Sequence, residues 1–255
     1  MATAPLPPVA PAAAPIEQKM SEGARILNTF IAPSKTFIDL RRSAAWWGPF
    51  LLLAIISIVF TYSVEKKVGY RKITEDQIQI VPKAAEQFEK MTPEQREQQF
   101  SVRTKGALIF AYAKSAARIL WFLIIAALLF ATFRFVAAAD VSFKVSLAIV
   151  IYASLPFVLK LILGSISLFA GVSPDFYSPD NPIASNPAYF MNPADSLIRY
   201  SLAAPFDLFE VWTLCLTAIG FTCVTKVKRG MAFGVVFGWY AVACLIGVGV
   251  AAAFS

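Results

Sequence analysis

Histidine is absent from this 255-residue chain, and only three cysteines occur. The first absence removes the commonest general base and the commonest zinc ligand. Cys215, Cys223 and Cys244 all lie in apolar runs and form no CxxC pair. Their spacing indicates neither a metal knuckle nor a disulfide framework, and they read as buried thiols. Charge is scarce too: Asp, Glu, Lys and Arg make up 15% of the residues, against about 25% in a soluble domain. The net charge of +7 is not gathered into one basic stripe with interleaved aromatics, so nucleic acid is not an expected partner. A cleavable signal peptide is also missing. MATAPLPPVAPAAAPIEQ has no charged segment ahead of an apolar core, and its prolines predict a disordered lead over residues 1–23. The first apolar span is then expected to act as an uncleaved insertion signal.

What is abundant is apolar length: 58% of the residues are hydrophobic. A bilayer core about 30 Å thick needs roughly 20 apolar residues in a helix. Residues 44–64, 117–139, 145–170, 204–225 and 231–254 meet that length. The expected fold is all-α: a polytopic membrane helical bundle of five transmembrane helices over residues 44–255. Arg118 and Arg134 sit at the ends of the second span, where long side chains can snorkel. Basic residues set the orientation. Lys35, Arg41 and Arg42 precede span one, Lys144 follows span two, and Lys226, Lys228 and Arg229 follow span four. By the positive-inside rule the N-terminus is cytoplasmic and the C-terminus extracytoplasmic. Residues 65–105, with nine basic and seven acidic side chains, are nearly balanced and are outvoted.

Outside the spans, residues 24–43 predict an amphipathic cytoplasmic segment. Ile26, Leu27, Phe30 and Ile31 recur at helical spacing, Pro33 interrupts them, and Ser34 is positioned to cap a second helix carrying Phe37, Ile38 and Leu40. Such a segment either lies on the lipid headgroups or packs against the bundle. The extracytoplasmic loop 65–116 is expected to be helical. Thr74–Gln77 and Thr92–Gln95 both match a capping box, the second with Pro93 behind its cap, and that second helix should run on into span two. Ile78, Val81, Ala85 and Phe88 form an apolar stripe suited to an antiparallel helix contact. The loop before span four carries Asn-Pro three times, which predicts turns in an irregular or re-entrant segment. Asp175 and Asp180 lack the regular spacing of a calcium loop.

Several short motifs occur together in this frame: FIAPSKTFIDL before span one, with Pro33 and Phe37; WWGP at its start, with Trp46, Trp47 and Pro49; YASLP in span three, with Tyr152 and Pro156; and DLFEVW in span four, with Asp207 and Trp212, followed by Gly220. Together they resemble the Yip family of Ypt/Rab-interacting five-span membrane proteins, over most of residues 25–255. The resemblance implies a helical bundle with a cytoplasmic N-terminus. In eukaryotes it implies a role in vesicle traffic through GTPase partners. The Ala/Pro-rich lead and the long first outer loop point to a bacterial member in the cytoplasmic membrane, with a eukaryotic endomembrane as the alternative.

Three function classes compete. A non-enzymatic membrane organiser or adaptor fits the lack of any assembled catalytic set; it needs no cofactor and no metal. Its expected partners are the bilayer, a protein at the N-terminal segment, and a second copy of the chain. A small-solute or ion transporter is the alternative, because ionisable residues inside spans are expensive and often functional. A membrane enzyme is the third, but Asp207 and Glu210 alone fall short of the facing carboxylates or ligand set it requires. Arg118, Lys160, Asp207 and Glu210 fall at one depth on three spans and form the candidate intramembrane charge cluster. The alternative for Asp207 is simply to cap its helix.

Overall fold

The structure, a computed structural model, describes residues 20–80, 82–171 and 177–253, with side chains described for the same residues except 82–84. The lead up to residue 19, Val81 of the apolar stripe and Asp175 lie outside the described residues. No strand occurs among the described residues.

Helix α1 (Glu22–Ile31) starts at Ser21, whose hydroxyl accepts from the Ala24 N–H, and Glu22 complements the helix dipole in its first turn. Helix α2 (Pro33–Leu40) follows after one residue. Its cap is Ala32, not the expected Ser34. Pro33 has the helical φ built in and needs no N–H at the first position, so the helix begins two residues early and encloses Ser34.

Helix α3 (Trp47–Lys67) is the first apolar span, three residues displaced from the expected 44–64. Gly69 ends it: at φ +81° it turns back and donates to the Val64 carbonyl at 3.0 Å. Helix α4 (Tyr70–Ile80) therefore begins at once. The expected start at Thr74 is wrong. Thr74 lies inside α4, and its hydroxyl donates to the Tyr70 carbonyl at 2.7 Å. Helix α5 (Pro82–Glu89) leads to Thr92, where the capping box is formed: Thr92 accepts from Gln95 N–H, and the Gln95 side chain accepts from Thr92 N–H. From there α6 (Pro93–Ala131) runs for 39 residues and closes in a π turn at Thr132–Val136. The second span thus stops short of residue 139.

The third span is not one continuous α-helix. Helix α7 (Phe143–Ala153) and helix α8 (Pro156–Phe169) are separated by Ser154 and Leu155. Pro156 has no N–H to give and crowds the preceding turn, so the ladder breaks there. The fourth span is broken as well. Helix α9 (Leu197–Ala203) and helix α10 (Leu208–Val224) meet at 45° across Pro205. Helix α11 (Arg229–Ala253) ends the described chain. Among the described residues four helical stretches are long and apolar enough to cross a membrane, and five when the bent α9–α10 pair counts as one.

The α7–α8 span is central and packs against α3, α6 and α10; α11 is peripheral, touching α10 and α9. Ile149, Ile151, Tyr152 and Leu155 are fully enclosed. Phe133 and Phe221 stack at 4.1 Å between α6 and α10. The α4–α5 hairpin and the loop after α8 lie at one end of this bundle, where Lys114 meets Asp180. The α1–α2 hairpin packs on α10, α3 and α7 away from that end.

Candidate functional site

Two buried polar groups lie at different depths. The first is built on the broken fourth span. Because Pro205 interrupts the helix, Asp207 becomes the cap of α10, and its Oδ1 accepts from the N–H groups of Phe209 and Glu210 at 3.0 and 3.2 Å. Its other oxygen, Oδ2, accepts from Lys160 Nζ on α8 at 2.9 Å. Asn186 Nδ2 donates to the same oxygen at 3.0 Å, and the Ser185 hydroxyl donates to it too. Lys160 and Asp207 side chains are 10% and 5% exposed. Both readings of Asp207, as a cap and as the partner of Lys160, hold at once, because each carboxylate oxygen serves one of them.

The Asn-Pro loop supplies the rest of this group. Asn181 and Asn186 exchange amide hydrogen bonds at 2.7 and 3.3 Å, and Asn181 also reaches the Tyr200 hydroxyl. The Ser185 carbonyl accepts from the Leu208 N–H at 3.0 Å, which ties the loop to the α10 start. Ser185 and Asn186 had no signal in the sequence beyond the Asn-Pro repeat. Glu210 sits one turn into α10 and feels the charges of Lys160 and Asp207, but its carboxylate is not part of the pair. Arg118 is apart from all three. Its Nη2 donates to Ser57 Oγ on α3 at 2.9 Å, and its buried Nε has no partner among the described residues.

The second group lies under the α1–α2 hairpin. Arg25, fully enclosed, donates from Nε to Asp39 Oδ2 at 2.7 Å, and its Nη2 makes a 2.6 Å ion-pair contact with the same oxygen. The Arg25 carbonyl accepts from the Thr29 and Thr36 hydroxyls at 2.8 and 2.9 Å. Burial opposes the Arg25 charge, but the hydrogen bond and charge of Asp39 outweigh it and raise its pKa. Tyr152 on α7 donates to Glu22 Oε2 at 2.8 Å. Of the two placements considered for residues 24–43, the hairpin packs on the bundle. Leu27, Ile31 and Ile38 nevertheless remain 60%, 72% and 49% exposed, beside exposed Lys35, Arg41 and Arg42.

Several motif positions named from the sequence pack against this hairpin, whereas Asp207 lies at the other end of α10 in the first group. Phe37 is fully buried against Gly220, where a Cβ would come within 2.5 Å of Ile149 Cγ2 and 3.1 Å of Phe37. Phe30 meets Trp212 edge-on at 5.8 Å. Trp46 and Trp47 stack at 3.9 Å, Pro49 is buried, Pro33 starts α2 and Pro156 starts α8. These residues seat a helical hairpin on a bundle; none forms a reactive group. Among the described residues no cluster of three or more acidic or cysteine side chains could hold a metal. A family model described as the Yip1 domain matches residues 27–251. Neither a curated protein nor a solved structure matches the chain.

Proposed function

The chain belongs to the Yip1 domain family, and from that premise we propose that it is a non-enzymatic membrane organiser whose N-terminal hairpin recruits a protein partner at the cytoplasmic face. It is an integral membrane protein with several apolar helices. The observation that carries the proposal is the exposed apolar ridge Leu27, Ile31 and Ile38 on a hairpin pinned from behind by Arg25 and Asp39. A rigid base with an uncovered apolar ridge and flanking Lys35, Arg41 and Arg42 suits an acidic partner with an apolar contact surface. In this reading the membrane is the bacterial cytoplasmic membrane, with residues 24–43 inside.

The test is site-specific photo-crosslinking from Ile31 in native membranes, with Phe110 on α6 as the control position. The proposal expects one soluble protein adduct at Ile31 that Leu27→Glu with Ile38→Glu abolishes and that never forms at Phe110. Adducts to lipid or to the chain itself alone would refute it. A small-solute or ion transporter is the second reading, favoured by the buried Lys160–Asp207 pair inside the spans. Ion flux in proteoliposomes that Asp207→Asn removes would favour it over the first.

A further inference from the structure

A cavity of about 160 Å³ lies between α4 and the Asn-Pro loop, at the end of the bundle away from the N-terminal hairpin. Ile73, Ile80 and Leu197 give it aliphatic walls, and Tyr177, Tyr189 and Tyr200 line it from the loop and α9. Tyr177 is 4% exposed, and its hydroxyl is enclosed with no hydrogen-bond partner among the described residues. Buried hydroxyls are normally paired, and leaving one unpaired costs stability. Burial raises the Tyr177 pKa, so the hydroxyl keeps its proton at neutral pH and is a donor without an acceptor. Tyr200 accepts from Asn181 Nδ2 at 3.4 Å, which leaves its own proton to give.

We propose that this cavity binds a single neutral pyranose ring, free or at the end of a glycan. Size sets the first limit. Sites for drug-sized ligands run to roughly 300–1,000 Å³, and this one is smaller, so one ring fills it. Charge sets the second. The cavity has one carboxylate, Asp76, and Lys72 one turn earlier answers it at 2.7 Å. A charged ligand therefore meets no unanswered opposite charge there. Hydrogen bonding sets the third. An ammonium can only donate and would leave the Tyr177 proton unmet, and a hydrocarbon would meet neither tyrosine hydroxyl. A sugar hydroxyl both accepts and donates. The hydroxyls of the ring accept from Tyr177 and Tyr200 and donate to Asp76 Oδ1, the oxygen that Lys72 leaves open. Its C–H faces lie against the aliphatic walls and the tyrosine rings.

Asn181 joins the cavity to the buried ion pair. Its side chain exchanges hydrogen bonds with Asn186, and Asn186 donates to Asp207 Oδ2 at 3.0 Å. Two side chains thus separate an occupant from the Lys160–Asp207 contact. This site is at the far end from the N-terminal ridge, and its failure would leave that reading untouched.

Saturation-transfer NMR on the full chain tests the proposal, in lipid nanodiscs without glycolipid or sugar-based detergent. The probes are glucose, galactose and mannose, each as the free sugar and as its methyl glycoside, with cyclohexanol and tetramethylammonium as controls. At least one sugar should show saturable transfer that neither control matches. Tyr177→Phe should weaken that binding about fivefold, the worth of one neutral hydrogen bond. It should not lower the melting temperature of the unliganded chain, because the hydroxyl it removes has no partner. Leu197→Trp, which fills the cavity, should abolish binding. Tighter binding of a methyl glycoside than of its free sugar supports a glycan end, and the reverse supports a monosaccharide. No saturable transfer from any of these sugars, equal transfer to cyclohexanol, or a preference for tetramethylammonium would overturn the proposal. So would binding that survives Leu197→Trp, wild-type affinity in Tyr177→Phe, or a lower melting temperature or failure to fold in that variant.

Discussion

Lys160 and Asp207 lie 47 residues apart in the chain, yet the Lys160 ammonium is 2.9 Å from Asp207 Oδ2, between α8 and the first turn of α10. The contact joins the two broken spans at their broken ends. Pro156 interrupts the third span one turn before Lys160, and Pro205 interrupts the fourth just before Asp207. Breaking a helix frees backbone groups, and the freed N–H groups of α10 are what Asp207 Oδ1 caps.

Removing either partner should leave an uncompensated buried charge, at about 3–5 kcal/mol each. Asp207→Asn keeps an oxygen for the cap while discarding the charge, so it isolates the ion pair from the capping role. The Lys160→Leu, Asp207→Asn double variant should lose clearly less than the sum of the single losses. Additive losses in denaturant unfolding would mean that the two groups do not couple.

Gly220 is needed because two side chains already occupy the space of its missing Cβ. Gly220→Ala would place that atom 2.5 Å from Ile149 Cγ2 and 3.1 Å from Phe37. Overpacking of this kind destabilises by about 1–3 kcal/mol. Ile149→Ala in the same chain should recover part of the loss. A Gly220→Ala variant with wild-type melting behaviour would contradict the close packing of α2 on α10.

The Arg25–Asp39 pair should fix the hairpin on the bundle. Asp39→Asn leaves a fully enclosed guanidinium beside a neutral amide, and the hairpin should open before the bundle unfolds. Hydrogen exchange over residues 22–40 should accelerate, while exchange in α7 stays slow. Uniform acceleration across both segments would instead make the pair part of the global core.

Legibility in the sequence followed the range of the interaction. Apolar length pointed to the four long apolar helices, and Pro93 behind Thr92 marked a true capping box. The same pattern at Thr74 misled, because Gly69 with its left-handed φ had already ended α3 and started α4 upstream. Depth along two antiparallel spans was enough to bring Lys160 toward Asp207. It could not separate Arg118, whose direction depends on how α6 rotates against α3. Ser185 and Asn186 were hidden for another reason: irregular loops position side chains by their turns, which have no period to read. The motif residues Phe37, Trp212 and Gly220 were visible as a pattern, but their common task, seating the hairpin, is set by tertiary contact.

Acid should loosen the α4–α6 contact. Arg71 bonds both carboxylate oxygens of Glu97 at 2.8 Å, and this hydrogen-bonded pairing holds the Glu97 pKa below its usual value. A carboxyl group lowered on folding contributes stability above its unfolded pKa, and that contribution is lost as pH falls through the lowered value. Protection of the Tyr70–Ile80 amides, taken as exchange relative to the intrinsic rate at each pH, should therefore be greater at about pH 6 than at about pH 3, well below the ordinary Glu range. Glu97→Gln should flatten that difference. Both residues are largely exposed, so high salt should shrink the effect as well.

Whether α9–α10 crosses the membrane decides where the chain ends. Helix α10 has 17 residues, which span about 26 Å, a little less than a bilayer core of about 30 Å. The bent α9 supplies the missing length. Packing argues for a full crossing: the α10 start meets Lys160 and the Asn-Pro loop, while Gly220 near its far end meets Phe37 of the N-terminal hairpin. The two ends of α10 thus touch opposite ends of the bundle. Lys226, Lys228 and Arg229 follow at the hairpin end, as the positive-inside rule requires of a cytoplasmic loop. Reporter fusions after Lys105 and after Ser255 should then both read extracytoplasmic. A cytoplasmic signal after Ser255 with an extracytoplasmic one after Lys105 would mean four crossings, with α9–α10 lying in the bundle without traversing the bilayer.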